Sequence, residues 1–187
     1  MIVECQSDGS AGDADYGDIG ADYSKYRRPE PAIAALIREA LESARSVVNI
    51  GAGAGSCEPT DRLVTPVEPS QTMRNQGPAE LPVAVNARAE DLPFADNTFD
   101  AALATFTVHQ WRDLETGLAE VRRVTTGPIV VLSCEPHVLT RFWLNDYAPE
   151  VLASEARRYP PVDLLATLLA PRTTHHHHQR PHPVALQ

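Results

Sequence analysis

A glycine-rich turn followed by a single carboxylate is the arrangement in this sequence with the clearest chemistry. Residues 47–50 form an apolar run that predicts a short buried strand, and it leads directly into Gly51-Ala52-Gly53-Ala54-Gly55-Ser56. Residues 64–68 predict a second strand that ends in Glu68. Glycine lets the backbone turn sharply and approach a ligand closely, and a carboxylate accepts hydrogen bonds from both hydroxyls of a ribose. The pair therefore indicates a nucleoside pocket at the carboxyl ends of parallel strands.

The glycine spacing indicates whether the nucleoside is part of a dinucleotide. Dinucleotide-binding turns follow G-x-G-x-x-G and place a pyrophosphate at a helix N-terminus. Here Ser56 takes the place of the third glycine, and Pro59 interrupts a loop that is too short for more than about one helical turn. The pattern disfavours NAD or FAD, while a glycine turn that only packs tightly stays an alternative.

Several segments together resemble the class I S-adenosylmethionine-dependent methyltransferases, in particular the small-molecule type related to the ubiquinone and menaquinone C-methyltransferases. The turn at residues 51–56 and Glu68 resemble the first two motifs of that family. The other matching segments are Y-S-K-Y-R-R-P at 23–29, A-E-D-L-P-F at 89–94 with F-D at 99–100, and G-P-I-V-V-L at 127–132. The resemblance covers about residues 16–161.

The resemblance implies a fold and an activity. The fold is α/β, a Rossmann-like, mostly parallel sheet with helices on both faces. The cofactor is S-adenosylmethionine, and the reaction is methyl transfer to a small-molecule acceptor. The family normally continues with two further strands, six and seven, and no segment here predicts them. The resemblance thus implies a domain truncated at its C-terminus, and a catalytically inactive protein that binds only cofactor or a partner is the alternative.

Individual site residues follow from the same resemblance. It implies that Glu68 holds the ribose, Pro69 lies against the adenine, the Ala89 backbone N–H contacts the ring, and Arg27 pairs with the cofactor carboxylate. The full set of implied cofactor contacts is Tyr23, Arg27, Asn49, Gly51, Ala52, Gly53, Gly55, Glu68, Pro69, Ala89, Glu90 and Thr105.

Two positions depart from the family pattern, and one histidine is a candidate for proton transfer. Asn49 stands where many relatives have an acid, and Arg88 stands where related enzymes often have an aspartate. His109 follows the predicted fourth strand, where relatives place groups that face the acceptor. Imidazole titrates near neutral pH, so His109 is the general-base candidate. A histidine that only satisfies the loop backbone is the alternative reading.

Composition limits the class of partner. The formal net charge of -9 argues against a nucleic-acid backbone as the main partner, because phosphate binding needs a basic face. No apolar run reaches membrane-spanning length. Three cysteines without C-x-x-C spacing, and a start without a signal-peptide pattern, predict a cytoplasmic protein without disulfides. The four histidines at 175–178 are taken as incidental, so no metal site is predicted.

The order of predicted elements gives one domain with two irregular ends. Residues 1–15 are expected to be a flexible lead-in, 16–170 the methyltransferase domain, and 171–187 an irregular tail rich in His, Pro and Arg. Helices are predicted at 33–41, 70–76 and 114–124, with helical stretches over 143–169 that break at its prolines. Strands are predicted at 47–50, 64–68, 83–85, 99–105 and 129–133, although Pro66 argues for an irregular or exposed second strand.

Overall fold

Five parallel strands form one sheet in the computed structural model, which describes Tyr16, residues 30–170 and residues 184–186. The strands are β1 (Ser46–Ile50), β2 (Leu63–Val67), β3 (Ala101–Thr105), β4 (Ile129–Leu132) and β5 (Val184–Leu186). Their order across the sheet is β2-β1-β3-β4-β5. The helices are α1 (Pro31–Ala40), α2 (Gln71–Arg74), α3 (Leu114–Val124), α4 (Pro136–Leu139), α5 (Pro149–Arg158) and α6 (Val162–Leu169).

Two helices begin at residues suited to the helix N-terminus. Pro31 occupies the first turn of α1, where its missing N–H costs nothing, and the Glu30 carboxylate accepts from Ala32 N at 3.3 Å. Asp113 precedes α3 and accepts a hydrogen bond from Thr116 N at 3.0 Å. These local signals set where each helix starts.

Helices cover both faces of the sheet. On one face Val48 and Ala102 pack against Val121 and Val124 of α3, and α6 extends this layer with Leu165. On the other face α1 packs Ile37 and Ala40 against Val47, Leu103 and Val130. The Rossmann-like α/β architecture expected from the sequence is confirmed.

The expectation that Pro66 makes the second strand irregular is wrong. β2 pairs with β1 in regular parallel register over its five residues, with Pro66 opposite Asn49. The Pro66 carbonyl accepts from Val85 N at 2.8 Å, on the side away from β1. Because N–H and C=O of one strand residue point the same way, the donor that proline lacks is not needed for pairing with β1. Proline is tolerated at such an edge.

The strand predicted at 83–85 shrinks to a single bridge. Val85 pairs with Val67, and its carbonyl accepts from Glu68 N at 3.0 Å. Val83 is 90% exposed and follows Pro82. One backbone donor is missing at Pro82 and no apolar face is buried at Val83, so the ladder does not extend.

The tail that was expected to be irregular contributes a strand. Residues 184–186 pair in parallel with β4, from Val130 opposite Val184 to Leu132 opposite Leu186. A strand edge presents unpaired backbone groups that accept another strand. Within the residues that the structure describes, all strand pairs of the sheet are parallel. Over the same residues no helix has the length and apolarity needed to cross a bilayer.

Candidate cofactor site

The carboxylate predicted at the tip of β2 is buried and held by two backbone donors. Glu68 is 6% exposed. Its Oε2 accepts from Gly53 N at 2.8 Å, and its Oε1 accepts from Ser70 N, also at 2.8 Å. The two bonds orient the carboxylate between the glycine turn and the start of α2. Bonds from N–H groups to a charged acceptor are stronger than neutral ones.

The glycine turn needs its glycines for two different reasons. Gly51, Gly53 and Gly55 all have positive φ, at 67°, 58° and 83°, a region that side chains with a Cβ disfavour. A Cβ on Gly51 would overlap the side chain of Thr107, whereas a Cβ on Gly53 would meet no protein atom within 4 Å. Gly51 therefore brings the turn against the loop after β3, and Gly53 leaves the backbone open.

A cavity runs from the glycine turn past Glu68 to the loop after β3. One part of its wall is apolar, formed by Pro69, Met73, Ala87 and Ala89. The residues that line it from the predicted set are Gly51, Ala52, Gly53, Glu68, Pro69, Ala89, Glu90 and Thr105. The structure thus brings together eight residues that were predicted from widely separated motifs.

Arg74 supports the tip of β2 from α2, and no sequence pattern predicted this role. Its Nη1 donates to the carbonyl oxygens of Glu68 and Pro69, both at 2.7 Å, and to Asn86 Oδ1 at 3.0 Å. Ser70, which is fully buried, caps α2 by accepting from Met73 N at 3.2 Å. The backbone that presents Glu68 is therefore held on both sides.

Glu90 lines the cavity and also fixes the loop that precedes α3. Its Oε1 accepts from Arg112 N at 2.6 Å and from Asp113 N at 3.1 Å. The carboxylate satisfies two backbone donors of that loop, which would otherwise have no intrahelical partner. Glu90 therefore connects the part of the cavity wall next to Ala89 to the loop after β3.

The loop after β3 supplies polar groups that sequence reasoning did not assign. Phe106 has a φ of 51°, which is uncommon for a side chain with a Cβ. Trp111 Nε1 donates to Thr107 Oγ1 at 3.3 Å, and Gln110 Nε2 donates to Tyr16 Oη at 2.7 Å. Tyr16, Thr107 and Gln110 all line the cavity, so uncharged hydroxyl and amide groups face it here.

Three predicted site residues do not line the cavity, and two others fall outside the part of the chain that the structure describes. Tyr23 and Arg27 lie outside the described residues. Gly55 and His109 are not among the residues that line the cavity. The His109 ring instead lies against Tyr159, with ring centroids 4.2 Å apart and an angle of 32° between the planes. Asn49 is also absent from the lining, and its side chain is hydrogen-bonded to Glu58 instead.

The side chains of Asn49 and Glu58, which flank the glycine turn in the sequence, are hydrogen-bonded to each other. Asn49 is 1% exposed, and its Nδ2 donates to Glu58 Oε1 at 3.5 Å. Burial raises the pKa of the Glu58 carboxyl to about 7, and the bond from Asn49 opposes this shift. Both Asn49 Oδ1 and Glu58 Oε2 are buried without a hydrogen-bond partner in the described part of the chain.

The residues present fit a nucleoside. A buried carboxylate suits two adjacent hydroxyls, the apolar wall suits a base, and Gly53 has no Cβ to keep a ligand from the backbone. This fit is independent of any relative. It agrees with the cofactor expected from the motifs.

Comparison with known proteins finds a family match for the central part of the chain. The sequence profile of the family described as "Methyltransferase domain" matches residues 48–127. YafE of Escherichia coli, described as uncharacterized, is 33% identical over 75 residues, which are 38% of this chain and 36% of that protein. The chloroplastic 2-methyl-6-phytyl-1,4-hydroquinone methyltransferase 2 of rice is 31% identical over 113 residues, which are 54% and 32% of the two chains. The chain therefore matches about a third of the length of these curated relatives.

Solved structures agree with the fold. A crystal structure from Anabaena variabilis, described as a candidate methyltransferase from an antibiotic biosynthesis pathway, has a TM-score of 0.68 and 28% identity. The match covers 76% of this chain and 61% of that one. An S-adenosylmethionine-dependent methyltransferase of Thermotoga maritima, a candidate histamine N-methyltransferase, has a TM-score of 0.65 and 20% identity over 82% and 77% of the chains.

The fold is a Rossmann-like domain with a cavity at the carboxyl ends of its strands, where open α/β sheets usually bind ligands. Residues 48–127 match the methyltransferase-domain family, and the solved structures that share the fold include an S-adenosylmethionine-dependent methyltransferase, so the cofactor that these similarities indicate is S-adenosylmethionine.

Proposed function

We propose that this protein transfers a methyl group from S-adenosylmethionine to a small-molecule acceptor. The observation that carries the proposal is the buried Glu68 carboxylate, held by Gly53 N and Ser70 N in the cavity next to the glycine turn. When bound, S-adenosylmethionine supplies a methyl group on a positively charged sulfur, already activated for transfer. The protein is then required mainly to bind, align and exclude water.

Each part of the cavity has a task in this proposal. Glu68 accepts from the ribose hydroxyls through charge-assisted hydrogen bonds. Pro69, Met73 and Ala89 cover the base with apolar surface. The glycine turn lies along the remaining part of the cofactor, where backbone rather than side chain forms the wall. Alignment of two reactants in such a site contributes roughly 7–11 kcal/mol in well-ordered systems.

In this proposal the acceptor binds at the end of the cavity that the loop after β3 forms. Tyr16, Thr107 and Gln110 offer hydroxyl and amide groups there and no charge. Small hydroquinones are the first acceptors to try, since the rice relative is named for a hydroquinone substrate. His109 remains the proposed general base for an acceptor that must lose a proton. Its neighbour Gln110 lines the cavity.

Calorimetric titration of the chain with S-adenosylmethionine and S-adenosylhomocysteine tests the cofactor site. We expect saturable binding of both, and Glu68→Ala should weaken it by about 1.5–3 kcal/mol, the range for hydrogen bonds to a charged group. Glu115→Gln, an exposed change on α3, is the matched control and should bind as the wild type does. No binding by the folded wild type, or unchanged affinity in Glu68→Ala, would contradict the proposal.

Turnover separates the role of His109 from that of Glu68. In His109→Ala we expect cofactor affinity to persist while methyl transfer to an active acceptor falls by about 10²-fold or more, the usual contribution of general-base catalysis. Parallel loss of affinity and turnover would assign His109 a structural role against Tyr159.

A further inference from the structure

Two buried acceptor oxygens beside the glycine turn lack a hydrogen-bond donor among the described residues. Asn49 Oδ1 and Glu58 Oε2 have no hydrogen-bond partner among the described residues, although both atoms are buried. The only bond between the two side chains runs from Asn49 Nδ2 to Glu58 Oε1, and at 3.5 Å it is long. Proteins leave few buried polar atoms unpaired, and each such atom calls for an explanation.

A single proton on Glu58 removes both deficits. A neutral carboxyl group has one O–H donor and keeps its acceptor capacity, whereas an ionised one only accepts. With the proton on Oε2, Glu58 donates to Asn49 Oδ1 while Asn49 Nδ2 donates to Glu58 Oε1. The amide and the acid then form a reciprocal pair with two bonds in place of one.

The pair joins the two ends of the glycine turn. Asn49 is the last residue but one of β1, immediately before the cavity-lining Ile50 and Gly51. Glu58 follows the turn, and its backbone N–H donates to the Gly55 carbonyl at 3.2 Å. A bond between these side chains therefore sets how the turn closes.

We propose that Glu58 is a positioning residue of the cofactor site, which in its neutral form donates to Asn49 and holds the glycine turn in its binding shape. The inference rests on the proposed function. It predicts that cofactor affinity falls as Glu58 loses its proton, because the ionised group leaves two acceptors opposed and buried.

Burial and surroundings set the pH at which this happens. Burial raises the pKa of Glu58 from 4.5 to about 7, so the neutral form dominates below about pH 7 and is lost above it. Glu58 lines two further cavities beside the glycine turn, and the charged or titratable side chains that line them with it are Arg38 from α1, Arg74 from α2, Glu80 from the loop after α2, and Cys57. None of these is among the causes of the shift.

The test measures the affinity for S-adenosylhomocysteine as a function of pH in the full chain. In the wild type, we expect the Kd to rise about fivefold or more between about pH 6 and about pH 8.5, at the low end of usual coupling strengths. Glu58→Gln keeps a donor at this position at every pH, so its Kd should stay within about twofold of the wild-type value at pH 6. Glu80 is exposed and lines one cavity together with Glu58, so Glu80→Gln is the matched control and should keep the wild-type pH dependence.

The outcomes decide between a positioning and a purely structural role. A wild type whose affinity does not change with pH, or a Glu58→Gln variant with the same dependence as the wild type, overturns the proposal. If Glu58→Gln does not fold, infrared spectroscopy of wild-type protein with ¹³C-labelled glutamate replaces it. A neutral glutamic acid that titrates near pH 7 supports the proposal, and its absence at pH 6 refutes it. Failure of a folded wild type to bind at any pH contradicts the proposed function, while the infrared titration still reports the Glu58 proton.

Discussion

Gly51 and Gly53 share a backbone conformation but differ in what surrounds them. Both have positive φ, so a Cβ at either position costs about 1–2 kcal/mol in backbone energy. At Gly51 the added carbon would also overlap Thr107, while at Gly53 it would meet no protein atom within 4 Å. The two positions therefore separate the backbone requirement from the packing requirement.

For Gly51→Ala we expect a larger loss of unfolding free energy than for Gly53→Ala, by a further 1–3 kcal/mol, roughly, which is the usual cost of overpacking. Urea unfolding of the two variants measures the difference. Gly53→Ala is the matched control because it carries the backbone cost alone. Equal destabilisation of the two variants would show that Thr107 moves aside without cost.

The residues of the site that were predictable are those with local spacing. The glycine turn and Glu68 were found because a strand, a turn and a second strand follow one another within about twenty residues. Arg74 was missed because arginine near a helix end is common and its three acceptors are visible only in the fold. The Tyr16–Gln110 bond joins residues 94 positions apart, and no local pattern reports such a contact.

At the scale of elements, Asp100 joins the start of β3 to the start of β1. Its Oδ2 accepts from Arg45 N and Ser46 N, both at 2.9 Å, and its own N–H donates to Ser46 Oγ at 3.0 Å. The hydrogen bonds from Ser46 N and then Arg45 N hold the pKa of the Asp100 carboxyl below its usual value. The ionised form is thus the one that stabilises the pairing.

The sign of the pH dependence follows from that lowered pKa. A carboxyl group whose pKa is lower in the folded state stabilises the fold above its unfolded value of 3.8 and loses this effect as the pH falls. We expect Asp100→Asn to be less stable than wild type at pH 7, with the gap closing as the pH falls below about 4. Thermal unfolding across pH measures this, and Asp146→Asn is the control because that carboxylate is exposed and lies outside the strand pairing. A stability difference between Asp100→Asn and wild type that stays constant with pH would show that the charge on Asp100 does not cause it.

Elements with a strong hydrophobic periodicity were predicted well. Strands whose formation depends on a pairing partner were predicted poorly. The helix at Leu114–Val124 was predicted with correct bounds because its apolar residues recur on one face. The strand at 83–85 was overpredicted, since three residues with β propensity need a partner along their whole length. The strand at Val184–Leu186 was missed because its partner, the open edge of β4, is set by the fold and not by the tail itself.

At the scale of the whole molecule, the cofactor cavity and the β4 edge are separate parts of the structure. Among the described residues, those that line the cavity run from Tyr16 to Trp111, whereas the edge is covered by residues 184–186. Removal of residues 171–187 should therefore leave S-adenosylhomocysteine affinity within about twofold of wild type and expose a strand edge that associates.

Analytical ultracentrifugation over a range of concentrations measures that association, and calorimetry measures the affinity. Removal of Gln187 alone is the control, because it leaves the β4–β5 register in place. A shortened chain that folds but no longer binds would show that the tail supports the cavity.

The strand order also affects when the cavity forms during folding. β1 lies between β2 and β3, and the contact between Ser46 and Asp100 closes a separation of 54 positions. Pairings this distant form slowly, because the entropy of loop closure is lost before the contacts compensate for it. On the ribosome, the glycine turn is made early but has no opposite wall until the loop ending at Trp111 has emerged. In a nascent chain the cavity can therefore be completed only after Trp111 has emerged.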